Sequence, residues 1–183
     1  MDERRSDQEL VDLANAGDVA GFEGLYHRYK QWVANLAFRF TGDRDLALDV
    51  LQETFSYLLR KFPGFTLTAQ MTTFLYPAVR NLSVVAKRKL RRLNLVSEPP
   101  EPAGGETEDA ERVQARSRVE LGRVMEGLPD GQREALLLRF VDGMSLEEVA
   151  QVLEVPVGTV KSRLHLGLKA LREDPATRKF FDV

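Results

Sequence analysis

The 183-residue chain has no cysteine, which excludes a disulfide framework, a thiolate metal site and a cysteine nucleophile, and suits a reducing compartment. Its two histidines, His27 and His165, are far apart in sequence. A zinc site or a Ser/His/Asp triad would rest on one of them alone, without any of the local signatures. No apolar run approaches the roughly 18 residues of a membrane span, and the opening MDERRSDQEL is polar where a secretory signal would be apolar. These absences predict a cytoplasmic chain with no membrane insertion, no cofactor and no metal. It is not expected to be an enzyme either. Glu53 and Glu148 are single carboxylates on predicted helices, with no phosphate loop, metal-ligand spacing or nucleophile elbow nearby.

Hydrophobic residues at 43% and charged residues at 30% are sufficient for a buried core. The net charge of −2 conceals a strong segregation. Residues 97–111 (SEPPEPAGGETEDAE) hold six acids and no base, whereas the thirteen residues from Arg80 to Arg92 hold six bases and no acid. A modestly acidic protein can therefore still bind nucleic acid, because the local field decides. The acidic stretch, with three prolines and two adjacent glycines, is a linker, extended by proline and by self-repulsion. It divides the chain into 1–96 and 112–183.

Both flanking segments have helical periodicity, and no segment alternates at period two for long enough to suggest a sheet. The predicted class is all-α: two small helical domains joined by a flexible acidic linker, the second containing a helix-turn-helix. In the first, Phe22, Leu25, Tyr26, Tyr29, Trp32, Val33, Leu36, Ala37 and Phe40 mark one face of a helix that Gly42 and Asp43 stop. Asp43 or Asp45 can cap a second helix facing inward through Leu46, Ala47, Val50, Leu51, Phe55, Leu58, Leu59 and Phe62. A third runs from about Thr73 to Leu95, with Pro77 awkwardly inside it. In the second segment, an arginine-rich helix spans roughly Glu108 to Glu126. A short helix follows with Asp130 as cap and Gly143 after its end. Ser145 and Glu148 form a capping box, EVPVGT is the turn, and VKSRLHLGLKALRE is the last long helix.

Two constellations point to function. Val149, Val152, Leu153 and Val155, together with Val160, Leu164, Leu168 and Leu171, give the last two helices a shared apolar side. That leaves Lys161, Ser162, His165, Leu166, Lys169 and Arg172 outward. An ordinary helical hairpin has the same core pattern; the cationic first half of the second helix favours reading DNA in the major groove. In TTFLYPAVRNLSVVAKRKLRR, Phe74 and Tyr76 precede a strongly basic helix, placing aromatic faces for unpaired bases beside cations for phosphates. A core aromatic beside a solvated basic face is the other possibility there.

Three stretches, in order, resemble the bacterial RNA polymerase sigma factors of the extracytoplasmic-function (ECF) group. They are DRDLALDVLQETF, with Asp49, Gln52, Glu53 and Phe55 matching an Asp-x-x-Gln-Glu-x-Phe core; FLYPAVRN; and Leu128 to Leu171, where Gly158-Thr159-Val160-Lys161-Ser162-Arg163-Leu164 is the most specific piece. The resemblance implies that 1–96 is a region 2-like domain. It would bind the clamp helices of core RNA polymerase through Asp49, Gln52, Glu53 and Tyr57. It would also melt and hold the minus-ten element of promoter DNA through Phe74, Tyr76, Arg80, Asn81, Lys87, Arg88 and Arg91. The resemblance further implies that 112–183 is a region 4-like domain touching the polymerase flap. Its last helix would read the minus-thirty-five element with Thr159, Lys161, Ser162, Arg163, His165 and Lys169. Of these, Lys161, Ser162 and His165 would meet base edges, and Arg163 and Lys169 the backbone.

An anti-sigma factor is the further partner implied, since a flexible linker lets an inhibitor rearrange the two domains. The linker itself is either a plain tether or an occupant of polymerase channels. The tail ending in Phe180-Phe181 either packs on the second domain or presents a partner site. A helix-turn-helix regulator that is not a polymerase subunit would account for the C-terminal half but not for the Asp49/Gln52/Glu53 helix. The chain departs from the family in having Leu166-Gly167-Leu168 where Arg-Ala-Arg is common, Pro77 inside a helix, and Val84-Val85-Ala86 where an Asp is frequent.

Overall fold

The computed structural model of the chain describes residues 5–94, 122 and 124–178, with side chains through 92 in the first stretch. The linker at 97–111, most of the helix expected over Glu108–Glu126, and the tail with Phe180 and Phe181 lie outside the described residues. Regular structure among the described residues is all helical. The chain divides into two compact units, Met1–Pro100 and Glu101–Val183.

The first unit contains α1 (Asp7–Asn15), α2 (Val19–Thr41), α3 (Arg44–Leu59) and α4 (Met71–Asn94). Helix α2 packs against the other three, and α3 also packs against α4. The core consists of Leu25, Val33, Leu36 and Ala37 from α2, Val50, Leu51, Phe55 and Leu58 from α3, and Leu75, Tyr76 and Val79 from α4. Burying each large apolar side chain contributes about 1.5–3 kcal/mol, so this shared core outweighs any local helix propensity.

Helix α1 was not anticipated, although its signal is local. The Ser6 backbone N–H donates to Glu9 Oε2 at 2.6 Å and the Glu9 N–H to Ser6 Oγ at 3.3 Å, forming a second capping box. Bonds from the Ser6 backbone and hydroxyl hold the Glu9 carboxyl below its ordinary pKa. Asp7 then ties α1 to α2, accepting from the Tyr29 hydroxyl and the Arg28 guanidinium. Burial, followed by the hydrogen bond to Asp7 and its charge, pushes the Tyr29 phenol well above its usual range. The two backbones cross closely at Gly21, where a Cβ would lie 2.5 Å from both the Ala14 nitrogen and the Leu10 oxygen.

Of the two possible caps for α3, Asp43 takes the role: its Oδ1 accepts from the Asp45 and Leu46 N–H groups at 2.9 and 3.0 Å. The inward face differs from expectation at one position. Leu59 is 53% exposed, because it lies a further 100° round the helix from the buried Leu58. Helix α4 begins two residues earlier than expected, at Met71, and runs through Pro77 without ending. Pro77 is exposed, and although it cannot donate to the Thr73 carbonyl, its buried neighbours Leu75, Tyr76 and Val79 hold the helix on the core.

In the second unit, residues 124–127 are helical and lead to α5 (Asp130–Leu136), a π-helical turn (Leu137–Val141), α6 (Leu146–Leu153) and α7 (Val157–Glu173). The cap of α5 is Pro129, not Asp130, whose carboxylate instead accepts from the Arg133 guanidinium. The expected single short helix widens at its end: the Asp142 N–H donates to the Leu137 carbonyl at 3.0 Å, five residues back. The widening leaves Phe140 and Val141 exposed. Helix α7 packs on both α5 and α6.

Candidate nucleic-acid and protein interfaces

The helix-turn-helix is built from local chemistry. The Ser145 N–H donates to Glu148 Oε2 at 2.7 Å and the Glu148 N–H to Ser145 Oγ at 3.1 Å, so the expected capping box starts α6. Glu154 ends that helix in the left-handed region, with φ 53°. The turn is shorter than EVPVGT, because Pro156 already stands at the N-cap of α7 and accepts from Thr159 and Val160 N–H at 2.9 and 3.2 Å. Thr159 therefore sits in the first turn of α7 rather than ahead of it.

Along α7, Lys161, Ser162, His165, Leu166, Lys169 and Arg172 are exposed, while Val160, Leu164, Gly167 and Leu171 are buried. Leu168, expected inward, is only partly buried, because Gly167 takes the contact position. A Cβ on Gly167 would lie 2.8 Å from Leu136 Cδ1. The glycine of the Leu-Gly-Leu departure thus has a packing reason: the Leu136 side chain of α5 lies directly against the α7 backbone there. Thr159 and Arg163 are partly buried, and the Arg163 guanidinium lies against Gly131 at the start of α5, where a Cβ would approach its Cζ to 2.9 Å. Ser162 Oγ donates to the Gly158 carbonyl at 3.1 Å, and Lys169 pairs with Glu173 at 3.8 Å on the open face.

In the first unit, α4 carries Arg80, Lys87, Arg88, Lys89, Arg91 and Arg92 and no acid. Arg80, Asn81, Val84, Val85, Arg88, Lys89, Arg91 and Arg92 are exposed, placing two valines among the cations. Two of the site residues implied by the family resemblance are placed otherwise. Tyr76 is 2% exposed with its ring edge-on to Phe40, centroids 5.8 Å apart; it is a core residue with no face for a base. The Lys87 ammonium donates to the Phe40 carbonyl at 3.1 Å, so it closes the end of α2 rather than standing free for a phosphate. Phe74 is partly exposed, stacked on Tyr57 (6.1 Å) and tilted against Phe65 (4.7 Å). Tyr57 in turn lies under the Lys61 ammonium, 4.8 Å from its ring centre.

Helix α3 brings Asp49, Gln52 and Glu53 together on its exposed side. The same side carries Leu48 and Leu59, each 53% exposed, which sequence reasoning missed as surface residues. Counting three and four residues on from Asp45 finds them: Leu48, Asp49, Gln52, Glu53, Ser56, Leu59 and Arg60 share one stripe. Among the described residues no cluster of His, Asp and Glu is assembled for a metal, and no helix is long and apolar enough to cross a membrane.

An acid-free basic helix in one unit and a capped helix-turn-helix with a cationic reading helix in the other define a class: a helical DNA-binding protein. Comparison with known proteins is more specific. Residues 25–93 match the family model for sigma-70 region 2 and residues 118–171 that for sigma-70, region 4. The chain is 31% identical over 179 residues to the RNA polymerase sigma-H factor of Pseudomonas aeruginosa, covering 92% of this chain and 93% of that protein. It is also 31% identical over 182 residues to the ECF RNA polymerase sigma-E factor of Escherichia coli K12, covering 93% and 95%. The chain belongs to the sigma-70 family, in its ECF group; it is a sigma factor, which directs transcription initiation to promoters. The fold is shared with CnrH, solved in complex with the cytosolic domain of CnrY (TM-score 0.64, 22% identity, 97% of this chain and 99% of that one). It is shared too with the sigma factor RpoE of Bartonella quintana, solved with the anti-sigma factor NepR (TM-score 0.60, 23% identity, 85% and 96%).

Proposed function

We propose that the two units divide promoter recognition: the first (1–96) docks core RNA polymerase and holds the opened minus-ten element, and the second (112–183) reads the minus-thirty-five element. The observation that carries this is the charge segregation in unit 1. Between Arg44 and Arg60 the exposed side of α3 is acidic (Asp45, Asp49, Glu53), whereas α4 is acid-free with six bases. The α3 side suits a protein surface bearing cations, and the α4 side suits phosphates.

Asp49, Gln52 and Glu53 are the polymerase contacts, with Tyr57 at the edge of that surface. Phe74 supplies the aromatic part of the strand-capture surface, and Arg80, Asn81, Arg88 and Arg91 its polar and cationic part. Unpairing bases costs a few kcal/mol, which stacking and phosphate contacts offset. On α7, Lys161, Ser162 and His165 meet base edges while Arg163 and Lys169 hold the backbone, with Thr159 entering from the first turn. Tethering both DNA contacts to one polymerase makes the second contact intramolecular. The protein works in the cytoplasm as a non-enzymatic initiation factor without a cofactor. An anti-sigma protein is its inhibitory partner, by analogy with the RpoE and NepR complex of the same fold.

A helix-turn-helix regulator acting apart from polymerase would leave the match over residues 25–93 without a use. Charge reversal at Asp49 and Glu53 should abolish capture of core polymerase without changing thermal stability; a folded variant that still binds normally would remove the docking assignment. Run-off transcription with Lys161→Ala and Ser162→Ala should relax base preference at single positions by about 1–3 kcal/mol.

A further inference from the structure

Asn15, the last residue of α1, lies outside both interfaces, yet its side chain makes three hydrogen bonds to a loop some fifty residues away. Its Oδ1 accepts from the Gly64 N–H at 2.7 Å and the Phe65 N–H at 3.0 Å, and its Nδ2 donates to the Phe65 carbonyl at 2.8 Å. One amide thus satisfies both the donor and the acceptor of Phe65 and fixes the backbone between α3 and α4 at that point. Gly64, at φ +100°, takes the conformation the clasp needs.

The consequence lies in the rings. Phe65 is buried, packed against Phe62 at 5.5 Å and Phe74 at 4.7 Å. Phe74 stacks on Tyr57, over which Lys61 lies. A displaced Phe65 backbone would remove the brace behind Phe74 and let the aromatic and cationic groups of this end of the unit drift apart. We propose that Asn15 is a positioning residue for strand capture: it holds the 62–65 loop so that Phe65 sets Phe74 in place for an unpaired base. The proposal rests on the assignment of Phe74 to the opened minus-ten strand. It adds a residue of α1 that touches neither DNA nor polymerase.

The test uses holoenzyme reconstituted from the full chain and core polymerase. The probe is a fluorescein-labelled single-stranded DNA oligonucleotide selected by the wild-type holoenzyme from a randomised pool. Asn15→Ala should weaken binding of this probe about tenfold, the worth of one stacked base, with affinity for core polymerase within about twofold of wild type. Asn15→Asp, which keeps the acceptor but loses the donor, should fall between. Gly64→Ala strains the same loop from its other side without a clash, since a Cβ there meets nothing within 4 Å, and should reproduce the loss. If Asn15→Ala fails to fold, Gly64→Ala decides alone. Wild-type affinity for the probe, or a parallel loss of polymerase affinity, would overturn the proposal. Phe74→Ala is measured alongside: if it alone is harmless, the strand-capture assignment fails; if it is damaging and the Asn15 and Gly64 variants are not, only the positioning role fails.

Discussion

Replacing Gly167 with alanine should destabilise the second unit, although a glycine-to-alanine change inside a helix ordinarily stabilises by about 1 kcal/mol. The new Cβ would stand 2.8 Å from Leu136 Cδ1 and 3.3 Å from its Cγ, well inside the contact distance of about 3.5–4 Å between carbons. Leu136 is buried under α7, so it cannot swing into solvent to make room. Overpacking of this kind costs about 1–3 kcal/mol, which leaves a net loss of about 1 kcal/mol after the propensity gain. Trp32 and all four tyrosines lie in unit 1, so intrinsic fluorescence is silent here. Amide hydrogen exchange along α7 in the full chain reports the change directly. Leu136→Val removes the clashing δ-carbons, and the pair should be less harmful than the sum of the single variants by at least about 0.5 kcal/mol. Slower exchange in Gly167→Ala, or strict additivity of the pair, would refute the packing argument.

Tyr29 gives unit 1 a pH dependence. Its phenol is held above the ordinary value of 10.0, so the stability it contributes is complete below about pH 10 and is lost as the pH rises from there through the folded pKa. Alkaline titration of the thermal midpoint should show this fall, and Tyr29→Phe should flatten it. Asp43→Ala should cost about 1 kcal/mol in urea unfolding by leaving the Asp45 and Leu46 N–H groups without their cap; an unchanged midpoint would refute the cap. Ser83 is fully buried and its hydroxyl has no hydrogen-bond partner among the described residues, so Ser83→Ala should be neutral or stabilise by about 1 kcal/mol; a loss would reveal a hidden partner.

Features set within a few residues could be read from the sequence. The apolar periodicity of α2 and α3, the Ser145/Glu148 capping box, the exposed register of Lys161, Ser162, His165 and Lys169, and the acid-free run of bases on α4 all follow from helical spacing and short-range hydrogen bonds. The capping box at Ser6 and Glu9 was equally local and was missed.

Features that depend on partners distant in the chain were decided by tertiary structure. Phe74 and Tyr76 read alike as aromatics before a basic run, yet α2 buries Tyr76 against Phe40 and leaves Phe74 partly open. In the sequence Gly167 is only part of the Leu166-Gly167-Leu168 departure; the side chain that packs against it, Leu136, belongs to another helix. The widening at Leu137–Val141 shows only in the folded backbone, where the Asp142 N–H reaches back five residues to the Leu137 carbonyl. Nothing near Asn15 announces the Gly64 and Phe65 backbone, because that bond set forms only once α1 and the loop before α4 pack on the same core. Helical periodicity states which residues share a side; only packing states what that side meets.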